Sequence, residues 1–417
     1  MTENKVKLSR RGFLETTSLS VAGLMLGSST RSALGAVKGA NERIHVGVIG
    51  PGAQGASLIR QLATMENVKI TTVCDIFEPN LKKGVQLAGG GPKPLTDYRK
   101  VLENKEVDAV VIATPLHLHA EMAQAALDAG KHIYLEKSLA HSVAQCDQLV
   151  RAAKARPSLV VQIGFQRHYN PVVQKAIDMA RNGALGTITH IRCTWHRNGN
   201  WRRPVPQVNF DPRPWGYPDL EHLINWRMYK KYSQGLMAEL GSHMMEVAAL
   251  IFGALPAAVT GFGGIDFWKD GRETFDNVAV IYAYSGGQKV MFSSITTNAH
   301  YGERIQIMGT EATIDMGWDE ALYFREKEPT ELTKITGATV ITATGETMPA
   351  EKAGQKGTEL ESEATGRVNP VYLALESFLS CIREGKKPGA DVQLGRDVAV
   401  SVLLANKAME EGRVIKF

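Results

Sequence analysis

Two short stretches carry residue types at spacings that could do chemistry. In Glu239-Leu240-Gly241-Ser242-His243 an acid and an imidazole stand four residues apart, so on a helix they share one face. Such a histidine can exchange a proton with a substrate hydroxyl while the carboxylate orients its ring. In Gly50-Pro51-Gly52-Ala53-Gln54-Gly55, three glycines follow the apolar run Ile44–Ile49 and precede a helix-like segment over 56–63. Gly50 permits a tight turn, Gly52 lets the backbone approach a pyrophosphate, and Gly55 lets the helix pack close on the sheet. The free N–H groups at the helix start, around Ala53 and Gln54, then face the phosphates. A second apolar run, 68–73, leads to Asp75, whose carboxylate can accept from both ribose hydroxyls. This is the layout of a nicotinamide dinucleotide site. It favours NAD over NADP, because Asp75 repels a 2′-phosphate and Ile76-Phe77-Glu78 brings no arginine to welcome one.

These groups need a scaffold, and the hydropathy pattern supplies one. Residues 107–114 have the near-continuous apolar character of a parallel, doubly buried strand. They run into Thr114-Pro115-Leu116-His117-Leu118-His119, at the carboxyl end of a strand, where ligands of open α/β sheets bind. Residues 132–135 and 159–163 read as further strands, with helices over 98–102, 119–130 and 143–155. The alternation predicts a six-stranded Rossmann domain over residues 43–165. From residue 187 the pattern changes to runs that alternate apolar and polar: 188–196, 259–267, 277–284, 289–297, 303–308 and 312–316. Gly286-Gly287 marks a hairpin between two of them. The expected fold class is therefore α/β: a Rossmann domain plus a C-terminal α+β domain over 166–417, with an open, mostly antiparallel sheet and helices on one face. Residues 326–366 read as a polar excursion with a strand or two. Amphipathic helices over 371–383 and 395–411, each stopped by a glycine, close the chain.

Thr114-Pro115 with His119, then Ala126-Leu127-x-Ala129-Gly130-Lys131-His132-x-x-x-Glu136-Lys137, resembles the glucose–fructose oxidoreductase, inositol dehydrogenase and MocA family. The resemblance extends through Gly164-Phe165-Gln166-Arg167 and through residues 235–246, GLMAELGSHMME, and so spans nearly the whole chain after its N-terminus. It implies that Thr114, Pro115, His119 and Glu136 line the cofactor. It further implies that Lys137 sits by the nicotinamide and the substrate hydroxyl, with Arg167, Glu239 and His243 nearby. Lys137 or His243 would then remove a hydroxyl proton as hydride leaves a sugar, sugar acid or cyclitol. The chain departs from the family pattern twice: Ser138 stands where proline usually follows the lysine, and Glu239 where aspartate is usual. Proline would fix the turn that aims Lys137. The resemblance also implies a dimer or tetramer formed through the exposed sheet face. His117 and His132 read as ordinary packed or surface residues.

Between the first strand of the second domain and the helix near Gly235 lies a long stretch of aromatic and arginine residues. It holds Trp195-His196-Arg197, Trp201-Arg202-Arg203, Trp215-Gly216-Tyr217 and Asn225-Trp226-Arg227. Aromatic faces stack on sugar C–H surfaces, and guanidiniums hold hydroxyls, carboxylates or phosphates. Four of the six tryptophans fall here, which favours a carbohydrate pocket with Arg202, Trp226 and Arg227 in its walls. Tyr301 is a further candidate for a wall or an auxiliary acid.

The net charge of +5 excludes little by itself. Lys5, Lys7, Arg10, Arg11 and Arg31 against Glu3 and Glu15 put most of that excess in the first 35 residues, and no basic surface suited to nucleic acid remains. The four cysteines have no metal-like spacing, and no metal is expected. Ser9-Arg10-Arg11-Gly12-Phe13-Leu14, a weakly apolar stretch over 19–27 and Ala33-Leu34-Gly35 resemble a twin-arginine export signal within residues 1–40. That route carries folded proteins, so the expected location is periplasmic or otherwise exported, with no stable membrane insertion and with the cofactor already bound. A different net reaction fits the same residues: oxidation, elimination of a glycosidic bond and re-reduction. The related NAD-dependent N-acetylgalactosaminidases carry Tyr-Pro-Thr-His where this chain has Met237-Ala238-Glu239-Leu240, which disfavours that particular glycosidase.

Overall fold

The computed structural model describes residues 43–318, 320–326, 357–360 and 369–417. The export signal lies outside them, as does most of the polar excursion.

The first sheet contains β1 (Ile44–Ile49), β2 (Val68–Cys74), β3 (Lys93–Leu95), β4 (Ala109–Ile112), β5 (His132–Leu135) and β6 (Val161–Ile163). Its order is β3-β2-β1-β4-β5-β6, with every pairing parallel. The central strands β1 and β4 are almost wholly buried, as their Val/Ile runs require when helices cover both faces. The sequence pattern passes over β3. Lys93-Pro94-Leu95 has no apolar run, and its proline cannot donate to a ladder, which suits it only to the edge. The crossover helices are α1 (Ala53–Leu62), α2 (Glu78–Leu87), α3 (Tyr98–Glu103), α4 (His119–Asp128) and α5 (Val143–Lys154). Ser142 caps α5 by accepting from Gln145 N.

After α6 (Pro171–Arg181) comes the second sheet. Its strands are β7 (Ile188–Trp195), β8 (Ala258–Gly264), β9 (Asn277–Ala283), β10 (Lys289–Ile295), β11 (Glu303–Gly309), β12 (Ala312–Met316), β13 (Ala321–Arg325), β14 (Thr358–Glu359) and β15 (Ile415–Lys416). The order is β14-β13-β12-β11-β7-β10-β9-β8-β15; β7 and β10 are parallel and the other pairs antiparallel. Between β7 and β8 the chain forms α7 (Leu220–Ile224) and α8 (Ser242–Phe252). The last helices are α9 (Pro370–Glu384) and α10 (Val392–Glu411), ended by left-handed Gly385 and Gly412. One face of this sheet joins α8 and α10 in a core continuous with one side of the Rossmann sheet. The other face leaves Phe262 85% exposed and Ile281 45% exposed.

One packing relation crosses the boundary drawn at residue 165. Helix α9 follows every strand of the second sheet but the last in sequence, yet Ala374, Leu375, Phe378, Leu379 and Ile382 pack with Val46, Leu58, Ile59, Val111 and Tyr134 of the Rossmann domain. Gln162 of β6 also donates to the Ala374 carbonyl at 2.7 Å.

Candidate active site

The glycine turn is built as a cradle. Gly50 ends β1 with φ +85°, and a side chain there would meet the Ala113 carbonyl at 2.8 Å. A side chain at Gly55 would collide with the Gly50 carbonyl. Beside Gly52 there is nothing within 4 Å, so a bulky group can reach its backbone. Helix α1 starts at Ala53, and its first-turn N–H groups have no partner within the helix. At the end of β2 the Asp75 carboxylate accepts from Phe77 N at 2.8 Å and Asn80 Nδ2 at 3.2 Å. Burial pushes its pKa up to about 6 despite those hydrogen bonds. The left-handed turn, the open space and the free donors fit a dinucleotide.

This cradle opens into a cavity of about 390 Å³ between the Rossmann sheet and the second sheet, within the range of small-ligand sites. Gly50, Gly52, Ala53, Gln54, Asp75, Thr114, Pro115, His119, Glu136 and Lys137 line it from the first domain. From the second domain come Trp195, Arg197, Trp201, Arg203, Trp226, Arg227, Glu239 and His243.

At the meeting of the two walls, Lys137 Nζ donates to the Glu239 carbonyl at 3.1 Å and lies 3.8 Å from Glu239 Oε2. The Lys137–Ser138 peptide bond is cis. The turn after β5 is anchored by His119, whose Nδ1 lies 2.8 Å from the Ser138 carbonyl and whose Nε2 lies 3.0 Å from that of Thr114. Glu239 and the turn together thus hold Lys137 at the cavity with serine in the proline position.

Glu239 and His243 share the cavity, but the carboxylate does not orient the imidazole. Glu239 sits in a π-helical turn, Met237–Gly241, that leads into α8, a distortion common at functional sites. Its Oε2 accepts from Arg227 Nε at 2.8 Å. Two cations compete for that carboxylate, and a neutral imidazole loses the competition. Burial alone would raise the Glu239 pKa, but Arg227 and Lys137 outweigh it and hold the group at about 2. His243 is buried with no partner at Nδ1 among the described residues, and its ring lies 5.4 Å from that of Trp195. Burial, reinforced by Lys137, Arg167 and Arg197, lowers its pKa well below the ordinary value, so the ring is neutral.

Glu136 accepts from Gln54 Nε2 at 2.9 Å and Gln166 Nε2 at 3.3 Å. Burial raises its pKa to about 7 against the pull of Lys137 and Gln54. Gln166 also lines the cavity. It stands inside the Gly164-Phe165-Gln166-Arg167 motif, which was the available signal for it.

Four expected site residues, Gly55, Arg167, Arg202 and Tyr301, lie off the cavity. Arg167 is buried between the Gly317 carbonyl, Glu303 and the Trp318 ring, as a strut rather than a wall. Arg202 turns away to pair with Glu221 and Asp270, and its neighbour Arg203 lines the cavity instead. No periodicity in an irregular loop distinguishes two adjacent arginines. Tyr301, in a left-handed conformation at φ 64°, is 68% exposed. Gly55 lies behind the turn and serves helix packing.

The aromatic stretch also reaches over the Rossmann domain. The Phe210 ring meets Phe77, two residues past Asp75, edge-on at 5.5 Å and stacks on Trp215 at 5.2 Å. His117 packs edge-on against Tyr217 and Tyr232. His141 Nε2 lies 2.9 Å from the Lys230 carbonyl. This strap thus packs on Phe77, a cavity wall residue beside Asp75.

Known proteins share this architecture. The family model described as "Oxidoreductase family, NAD-binding Rossmann fold" matches residues 44–165, and "GFO/IDH/MocA C-terminal domain" matches residues 173–315. A glycosyl hydrolase family 109 protein of Solibacter usitatus is 29% identical over 222 residues, covering 47% of this chain and 50% of that protein. An inositol 2-dehydrogenase of Salmonella typhimurium is 31% identical over 144 residues, covering 34% and 43%. The match therefore spans half or less of the length of these two relatives. A levoglucosan dehydrogenase solved with NADH and levoglucosan superposes with a TM-score of 0.70 at 20% identity, covering 90% of this chain and 99% of that one, a likeness of fold.

Proposed function

The chain belongs to the GFO/IDH/MocA oxidoreductase family, matched in its NAD-binding and C-terminal domains, and we propose that it oxidises a hydroxyl-bearing carbon of a sugar, sugar acid or cyclitol. The observation that carries this reading is the convergence of Lys137, Glu239 and His243 on the cavity that the glycine cradle opens into. When bound, NAD supplies the acceptor for the two electrons that leave the substrate carbon. The turn from Gly50 to Gly55 and the start of α1 hold its phosphates, and Asp75 its ribose. His243, neutral and lining the cavity, accepts the hydroxyl proton. Lys137, fixed by Glu239, donates to the same oxygen as negative charge develops there. Trp195, Trp201 and Trp226 offer faces for the sugar ring.

A second reading is supported by the similarity to the family 109 glycosyl hydrolase. In it the same proton transfers serve a redox-neutral cycle: oxidation acidifies the neighbouring C–H, elimination expels the glycosidic alcohol and leaves a C=C bond, water adds across that bond and returns a proton to carbon, and the ketone is reduced again by the same hydride. Incubating the purified protein with free sugars and glycosides in deuterated water separates the two. Net NADH formation supports the oxidoreductase, and sugar released with carbon-bound deuterium and no added cofactor supports the cycle. Neither product across a wide panel would overturn both and favour a dinucleotide-binding sensor.

We also propose that the chain is exported through the twin-arginine route with its cofactor aboard, on the strength of Ser9 to Leu14. The strap at Phe210 suits a retained cofactor. Among the described residues no helix is long and apolar enough to cross a membrane. The apolar sheet face with Phe262 and Ile281 suits a homodimer or homotetramer. Cell fractionation with Arg10 and Arg11 replaced by lysine, and sedimentation of the purified chain, test these two points.

A further inference from the structure

The cavity gathers more positive charge than the acids around it balance. Lys137, Arg197, Arg203 and Arg227 all line the cavity. Of the acids beside them, Glu239 is committed to Arg227 and Lys137. Glu136 carries only part of a charge near neutrality, since burial pushes its pKa up to about 7. The same stretch of chain does supply acids to arginines that face elsewhere. Arg202 pairs with Glu221 and Asp270, and Arg272 lies 2.7 Å from Asp270. Arg197 and Arg203, by contrast, meet no carboxylate among the described residues.

Arg197 is nevertheless held in place. Its guanidinium carbon lies 5.5 Å from the Trp195 ring centre and 5.2 Å from that of Trp201, so the planar fork is positioned by two indoles. Burial lowers the pKa of both arginines and the charge of Arg227 adds to this, against a pull weaker than that of burial from the Glu239 carboxylate, which Arg227 and Lys137 already share. Cations without an ion-pair partner of their own in a partly desolvated cavity are costly unless an anion joins them.

We propose that this cavity takes an anionic sugar, a polyol bearing a carboxylate or a phosphate ester, whose charged group is received by Arg197 and Arg203. The placement of its reacting hydroxyl at Lys137 and His243 rests on the oxidoreductase reading; the recognition of its charge does not. The arrangement would also aid catalysis. A negative group in the cavity offsets the cations that suppress the basicity of His243.

The test uses the full chain loaded with NADH. Binding is measured by calorimetry for gluconate and glucuronate, for glucose 6-phosphate, and for neutral glucose and myo-inositol. At least one charged probe is expected to bind ten or more times tighter than its neutral counterpart, and the better of the carboxylate and phosphate arms identifies the group. That advantage should shrink in Arg197→Gln and in Arg203→Gln and with rising salt, while NADH affinity, read by fluorescence on the same variants, stays within twofold. Neutral sugars binding as well as charged ones, or no binding of any charged probe, would overturn the proposal. So would variants that lose NADH affinity instead, since the arginines would then serve the cofactor's pyrophosphate. Tight, Arg197-dependent binding of charged sugars without turnover of any of them would leave this inference standing and remove the oxidoreductase reading. Turnover confined to neutral sugars would do the reverse.

Discussion

Lys137 and Glu239, 102 residues apart in the chain, meet twice: the ammonium donates to the glutamate's carbonyl at 3.1 Å and faces its carboxylate at 3.8 Å. One residue of the second domain thus fixes the lysine of the first through both its backbone and its side chain. Arg227 Nε holds the same carboxylate oxygen, Oε2, at 2.8 Å.

Replacing Glu239→Gln leaves Arg227 and Lys137 facing a neutral amide in a nearly buried site. Activity should fall roughly 10²-fold, and unfolding free energy by roughly 3 kcal/mol, the scale for breaking a buried charge pair. Steady-state kinetics and urea denaturation read the two effects. Wild-type values in both would show that Glu239 does not organise the centre.

Glu136 makes the cofactor-free protein more stable in mild acid. Its folded pKa is raised to about 7 from an ordinary 4.5, so between these values the folded chain holds a proton that the unfolded chain has lost. This contribution is fully present below pH 4.5 and fades as pH rises to 7, on the order of 3 kcal/mol in all. Asp75, raised to about 6, acts in the same direction but is spent sooner. Urea midpoints between pH 5 and 7 should fall in the wild type and stay flatter in Glu136→Gln; equal slopes would count against the assignment.

The strap should govern how long the cofactor stays. Phe210→Ala removes the ring that meets Phe77 and Trp215. An aromatic contact of about 1 kcal/mol implies NADH leaving roughly five to ten times faster, seen by stopped-flow fluorescence on displacement. An unchanged release rate would mean that the strap is not a barrier.

Tyr301 and Arg202 lie off the cavity, and their variants should behave accordingly. Tyr301→Phe should leave kcat and KM within about twofold, as expected of an exposed side chain. Arg202→Ala should lower stability by about 1 kcal/mol, through Glu221 and Asp270, without raising KM. A raised KM in either variant would place that residue against the substrate.

The Rossmann half was legible because its strands are apolar runs and its turn demands glycine. The alternating runs of the second sheet were legible for the same kind of reason. The weak edge strand Lys93–Leu95 was not, having neither signal. Within the site, Lys137, Glu239 and His243 came from motif and spacing, and the structure gathers all three. Their partners were less visible. An interval of four residues foretold a shared face for Glu239 and His243, but Arg227, brought in by tertiary folding, takes the carboxylate. The choice of Arg203 over Arg202 depends on where Glu221 and Asp270 fall, which the local sequence does not encode.

The docking of α9 bears on the order in which the protein can be made. During synthesis, residues 43–165 leave the ribosome more than two hundred residues before Ala374 and Phe378, yet those side chains close one face of the first sheet. The nascent nucleotide domain therefore waits with an apolar face open, and completes its core only when the end of the chain arrives. Contacts of such long sequence separation form slowly, and an exposed apolar face invites association meanwhile. Truncation before α9 should thus yield an aggregation-prone fragment rather than a free-standing NAD-binding module, although every strand of its sheet would be present.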